Sequence, residues 1–367
     1  VWSLVDAGRP LRPGHKALAL LLVALVGLSH AWAGSTLLAF YRAGQQISDA
    51  PVVVGPGPSP GLDPTAAPGQ TPGTPDPQAT PAPSPTELPG ERDRVTILLV
   101  GADNTHGAGR ALTDTIMVAS FDPQTQDLVM ISIPRDTARF PLYGGGEYAP
   151  RINTLLQAAV RDPERFPDGG MGTLVNEVEY LVGVPIDYYA QIDIAGFREL
   201  IDAVGGVDLV VERAVDDPGY QFSPTEVGFH LEPGPVHLDG KYATAFVRSR
   251  HGSSDYDRAR RQQQVLLALR SKLNDPGVIV NLPAIVDAVS QIVRTDAPLD
   301  RLPDIVSIVQ RTNSADTRRY VLGPPEYAHR ITRPDGTQSF ATQLDLGAVG
   351  RLSVELFGAL SRYATVQ

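Results

Sequence analysis

Residues 95–136 limit the possible folds more than any other stretch. They read VTILLVGADNTHGAGRALTDTIMVASFDPQTQDLVMISIPRD and hold three apolar, β-branched runs at 95–100, 115–121 and 128–133. Each has strand length and strand composition. Residues 121–127 carry Asp, Pro, Gln and Thr, which is turn chemistry. The first link, 101–114, is Gly-rich and lacks a helical period. A parallel crossover normally needs a helix, so both links read as antiparallel connections. Asp103 then leaves strand one at the sheet end where Asp114 enters strand two. Strand three returns to that end and delivers Arg135 and Asp136.

Two carboxylates beside an arginine can hold a divalent cation together with phosphate oxygens. Mg²⁺ is held by one or two carboxylates, waters and substrate phosphates, and arginine offers the fork that phosphate accepts. The plainer alternative makes Asp103 and Asp114 turn residues and Arg135 a solvated strand end.

The chain of 367 residues has a net charge of −10, which argues against a general nucleic-acid binder. It has no cysteine, which excludes thiolate chemistry, thiolate zinc sites and disulfides. The seven histidines show no HExxH pairing. A Walker phosphate loop is missing too: in GPVHLDGKY the spacing is wrong and Tyr242 stands where Ser or Thr is needed.

Residues 1–16 read as a short basic segment on the cytoplasmic side, and 17–41 as a transmembrane anchor without a charged residue in 25 positions. A cleaved signal peptide, with its site at Ala31-Trp32-Ala33, is the alternative. The apolar run outlasts that site and favours the anchor. Residues 42–93 read as a disordered linker, with 13 prolines in the 40 residues of 51–90. The folded domain spans 94–367, outside the membrane.

Within it, helical patterns at 154–161, 172–181 and 197–204 alternate with strands at 186–194 and 207–211. Gly205-Gly206 is a helix-stop signal. This interleaving predicts an α/β fold: a mixed central sheet with helices on both faces, in three α-β-α layers. Asp193, Asp202 and Asp208 read as caps and surface residues. Helical periodicity recurs at 283–292 and 302–310, and 319–322 reads as a last strand of the same domain.

A second constellation follows. A short helix over 241–247 ends in Arg248-Ser249-Arg250-His251, and Asp255 opens a long helix through Leu273. There Arg258, Arg261 and Gln262 share a face that continues as Val265, Leu266, Leu269 and Leu273. Polar residues on a core-facing stripe need partners. Asp255 and Asp257 cannot neutralise all the arginines, whereas a pyrophosphate carried with Mg²⁺ can.

The segments LLVGADN, TDTIM, SIPRD, RIN, IDYYAQIDI, IDAVGGVDL, LDGKYATAFVRSRH and DYDRARRQQQ occur in this order across residues 95–264. In these segments the chain resembles the LytR-CpsA-Psr family, whose members attach glycopolymers to bacterial cell walls; the core of the resemblance is 95–274. It implies a membrane-bound, extracytoplasmic phosphotransferase. This would move a glycan phosphate from a polyprenyl-pyrophosphate-linked donor to a sugar hydroxyl of peptidoglycan. A lipid-pyrophosphate hydrolase and an anionic-lipid-binding regulator are the alternatives. The resemblance implies Mg²⁺, with Mn²⁺ as a substitute, on Asp103 and Asp114. Arg135, Arg151, Arg248, Arg250, Arg258, Arg261 and Gln262 would grip the pyrophosphate. Asp136 or Asp257 would take the acceptor's proton, with Arg135 in the catalytic set. Two positions depart from the family pattern. Leu112 stands where an arginine is common, with Arg110 as its substitute, and Arg151 replaces a lysine.

Overall fold

The computed structural model describes residues 94–103, 112–272, 274–275, 278, 285, 292–298, 301–311, 317–332 and 337–358. The expected anchor and linker, Arg110, Leu273 and most of the helix expected at 283–292 lie outside these residues.

The elements run in this order: β1 (Val95–Asp103), β2 (Leu112–Phe121), β3 (Leu128–Ser132), β4 (Ala138–Pro141), β5 (Glu147–Arg151), α1 (Leu155–Arg161), α2 (Gly169–Val182), β6 (Tyr188–Asp193), α3 (Ile194–Ala203) and β7 (Val207–Val211). Then come β8 (Val215–Ser223), β9 (Glu226–Leu231), β10 (Gly234–Leu238), α4 (Gly240–Arg248), α5 (Asp255–Lys272), β11 (Val293–Thr295), α6 (Leu302–Arg311), β12 (Thr317–Val321), β13 (Ala328–Thr332), β14 (Gln338–Leu344) and α7 (Leu346–Phe357).

The central sheet has the order β11-β6-β1-β2-β3-β12. The pairs β1–β2 and β2–β3 are antiparallel, as the short links require. β6 joins β1 in parallel after a crossover that contains α2, and β12 joins β3 in parallel. The strand expected at 207–211 forms, but it pairs with β10 in a separate two-stranded ribbon. Its pattern placed it on a sheet without saying which one.

Side chains alternate across the sheet. Leu98, Val100, Ile116, Val118, Val129 and Ile131 face one core, shared with α1, α2 and α7 through Leu155, Leu174, Val178 and Leu352. Met117, Ala119 and Met130 face the other side, where Leu266 and Leu267 of α5 and Ile308 and Val309 of α6 pack. Helices cover both faces, giving the three layers expected.

Helix α3 starts three residues earlier than its apolar pattern suggests, because the Asp193 carboxylate accepts the Gly196 N–H and caps it. It stops where Gly205 and Gly206 take positive φ and donate their N–H groups to Asp202 and Ile201 carbonyls. The Asp202 carboxylate accepts the Gly240 N–H at 2.7 Å and ties α4 to α3.

Glu177 on α2 is fully buried. Its Oε2 accepts the Tyr143 N–H at 3.3 Å, while its Oε1 has no hydrogen-bond partner. Burial pushes this carboxyl up to about 8, against a small opposing effect of the Tyr143 bond. A folded-state value above the unfolded one stabilises the fold most at low pH. That contribution is lost as pH rises from about 4.5 to about 8. Glu177→Gln keeps the neutral form at every pH. Thermal melts from pH 5 to pH 8 should therefore show a shallower fall for Glu177→Gln than for the parent, by on the order of a few kcal/mol at pH 8. Parallel curves would contradict the burial argument.

Candidate functional site

A cavity of about 540 Å³ lies between the second sheet face and helices α3, α4 and α5. Leu99, Met117, Ala190 and Ile192 form its floor, and Phe197, Val247, Val265, Leu266 and Leu269 its roof. Asp103, Asp114, Arg135, Arg248, Arg250, Arg258 and Gln262 also line it. An apolar chamber with a charged section suits an amphiphile with an anionic head.

A backbone irregularity delivers Asp114 to this cavity. β1 and β2 pair in register through Gly101↔Thr115, then shift so that Ala102 faces Thr113 and Asp103 faces Leu112. Asp114 is the extra residue of a β-bulge. Strict alternation would have sent it to the opposite core with Ile116 and Val118; the bulge re-aims it beside Thr115. Gly101 makes room, since a Cβ there would sit 2.9 Å from the Thr115 side chain.

The charged groups are interlocked. Arg135 Nη1 donates to Asp114 Oδ1 at 2.7 Å, and Arg248 Nη2 reaches Asp103 Oδ2 at 3.3 Å. Arg258, nearly buried, donates to the Asp114 carbonyl at 3.3 Å. Three guanidiniums surround Asp255: Arg258 at 3.2 Å, and Arg135 and Arg250 at 3.6 Å each. Asp255 escaped the sequence reading as a site residue, because an acid at a helix start reads first as a cap. Asp136 lies beside Asp255, and the two carboxyls titrate as a pair. Burial, and then the Asp255 contact, raise Asp136 above the usual carboxylate range. Burial pushes Asp255 the same way, but the Asp136 contact and the arginines Arg258, Arg135 and Arg250 hold it low.

Four expected residues do not line the cavity: Asp136, which sits beside Asp255, and three others. Arg261 does not line the cavity; it is buried, with hydrogen bonds to the Ser249 carbonyl and Ser253 Oγ and its guanidinium 5.7 Å over the Phe246 ring. It sits on the flank of the α5 stripe. Asp257 is engaged at the start of its own helix, where Oδ2 accepts the N–H and hydroxyl of Ser254 and Oδ1 accepts Arg260. Arg151 pairs with Asp136 at 2.7 Å and lines a second groove of about 480 Å³ with Arg139, Thr332 and Ser339. Leu112 borders both spaces. Asp208 is a surface residue, paired with His237 and Lys272.

Among the described residues, no three His, Cys, Asp or Glu side chains cluster as a ready metal cage. Asp103 and Asp114 supply two hard oxygen ligands on one wall, which fits Mg²⁺ completed by water and phosphate oxygens.

Gly101→Ala should displace the bulge and weaken inorganic pyrophosphate binding by about tenfold, as read by calorimetry. Thr115→Gly in the same chain should restore much of it. Unaltered affinity in Gly101→Ala would show that the bulge does not aim the acid.

A family model described as LytR_cpsA_psr matches residues 74–322. The TagU polyisoprenyl-teichoic acid–peptidoglycan teichoic acid transferase of Halalkalibacterium halodurans is 32% identical over 216 residues, covering 59% of this chain and 65% of that protein. Its Oceanobacillus iheyensis counterpart is 33% identical over 239 residues, 64% of this chain and 67% of that one. The match to the first of these spans just under two thirds of its length. Among solved structures, Bacillus subtilis TagV superposes with a TM-score of 0.58 at 25% identity, covering 72% of this chain and 96% of that one. A structure titled TagT bound to LIIa-WTA superposes at 0.55 with 22% identity, covering 74% and 92%, and shares the fold.

Proposed function

The chain belongs to the LytR-CpsA-Psr family, and from that membership we propose that it transfers a glycopolymer phosphate from a polyprenyl-pyrophosphate carrier to a sugar hydroxyl of peptidoglycan. The curated TagU relatives are named for a transfer of this kind. The observation that carries the reading is the convergence of Arg135, Arg248, Arg250, Arg258 and Gln262 on a cavity that is otherwise apolar. A diphosphate matches the arginines, and a polyprenyl chain matches the chamber of Leu99, Met117, Val265, Leu266 and Leu269.

In the proposed reaction, the acceptor oxygen forms a bond to the glycan-side phosphorus. The phosphoanhydride P–O bond breaks, and polyprenyl phosphate leaves. The hydroxyl proton passes to the Asp136–Asp255 pair, resting on Asp136, the member with the higher affinity for it. Arg135 and Arg258 are held by contacts from Asp114 and Asp255, so they meet the developing phosphate charge already oriented. Asp103 and Asp114 would hold Mg²⁺, whose charge would offset that of the diphosphate oxygens. The location belongs to the proposal as well: residues 17–41 hold the domain at the outer face of the membrane.

A charge-assisted contact to phosphate is worth roughly 1.5–3 kcal/mol. Arg250→Ala should therefore lower kcat/KM for a lipid-pyrophosphate donor by about ten- to a hundredfold. Arg250→Lys should recover only part, because lysine lacks the two-pronged fork. Product analysis with a sugar acceptor should show the phosphoester to the sugar. Glycan phosphate released to water alone would make the protein a hydrolase, and wild-type rates in both variants would remove the arginine from the mechanism.

A further inference from the structure

Arg248 and Arg250 are partly exposed and sit at the end of a short helix and on the turn that follows it. Long cations in such a position lose rotamer freedom when they grip a ligand, and binding weakens accordingly. The turn is nevertheless fixed from two sides. From β8, Asp217 Oδ2 accepts the Ser249 hydroxyl at 2.9 Å, the Arg250 N–H at 3.2 Å and the His251 N–H at 3.4 Å. From α5, Arg261 donates to the Ser249 carbonyl and to Ser253 Oγ. Ser249 itself is fully buried between them.

These contacts are costly to the fold. Arg261 is buried and forms no ion pair within 4 Å among the described residues; its Nε and Nη1 lack hydrogen-bond partners. Burial pulls its guanidinium down to about 10. Asp217 is also buried, with its oxygen committed to the turn. A buried cation without a paired carboxylate is not chosen for stability. Its contacts go to the one turn that presents two arginines to the cavity.

We infer that Asp217 and Arg261 are positioning residues: they clamp the Ser249 turn so that Arg250, with Arg248, meets the anionic head of the substrate preformed. Neither touches the substrate. The clamp rests on the reading of the cavity as a pyrophosphate site. It assigns the β8–β9 hairpin, which lies outside the central sheet, a role in donor binding.

The test is a double-mutant cycle on the full chain in detergent, titrated calorimetrically with inorganic pyrophosphate and Mg²⁺. Asp217→Asn should weaken binding by about tenfold. In an Arg250→Ala background the same substitution should cost less than about twofold, because the residue it acts through is gone. Ser249→Ala removes one clamp bond with little change in volume; it should weaken binding in the same background-dependent way, and it reads the clamp if Asp217→Asn does not melt cooperatively. Equal losses in both backgrounds would make the clamp a general structural feature and overturn the inference, as would unchanged affinity in both single variants. If the parent itself failed to bind pyrophosphate, the reading of the cavity would fall first and the clamp with it.

Discussion

Four guanidiniums share too few carboxylates at one section of the cavity, and the surrounding structure is arranged around that excess. Asp255 takes contacts from three of them at 3.2–3.6 Å, while Asp114 and Asp103 each hold one. An arrangement like this keeps cations oriented without saturating them. An arriving phosphate exchanges one set of charge-assisted contacts for another and does not have to order loose side chains. The fold contributes at three points: a bulge in β2, the return of β3, and the turn between α4 and α5.

The apolar remainder of the cavity has a plain origin. α5 runs along the second sheet face but packs on it only over part of its length, where Leu266 and Leu267 meet Met117, Ala119 and Met130. Farther along β1 and β6 the helices stand off the sheet, and Leu99, Ala190 and Ile192 face open space. An unfilled chamber weakens a fold. The buried cations Arg258 and Arg261 add a desolvation cost, and each retains a buried nitrogen without a hydrogen bond. Such costs gather at functional sites.

Much of this was legible from residue order. The three strands at 95–133 form the predicted antiparallel set, and α4 and α5 lie within one or two residues of their predicted limits. Asp103, Asp114, Arg135, Arg248, Arg250, Arg258 and Gln262 line one cavity, as their spacing suggested. Arg261 shows where spacing stops being enough. At about 100° per residue, Arg258, Gln262, Val265 and Leu269 fall within a narrow arc, while Arg261 lies roughly 60° to one side. That offset turns it toward Ser249 and away from the cavity. Asp217 was illegible for another reason. Its partner lies 32 residues away, across a hairpin that the local pattern does not reveal.

In the proposed complex one cavity holds both the anionic head and the lipid tail of a donor. A crystal structure of the protein with a short-chain polyprenyl pyrophosphate and Mg²⁺ tests it most directly. Diphosphate density is expected among Asp103, Asp114, Arg135, Arg248, Arg250 and Arg258, with the chain running past Leu99 and Met117 toward Leu269. A head group seated instead in the groove of Arg139 and Arg151, or a tail lying outside the chamber between the sheet and α5, would contradict it.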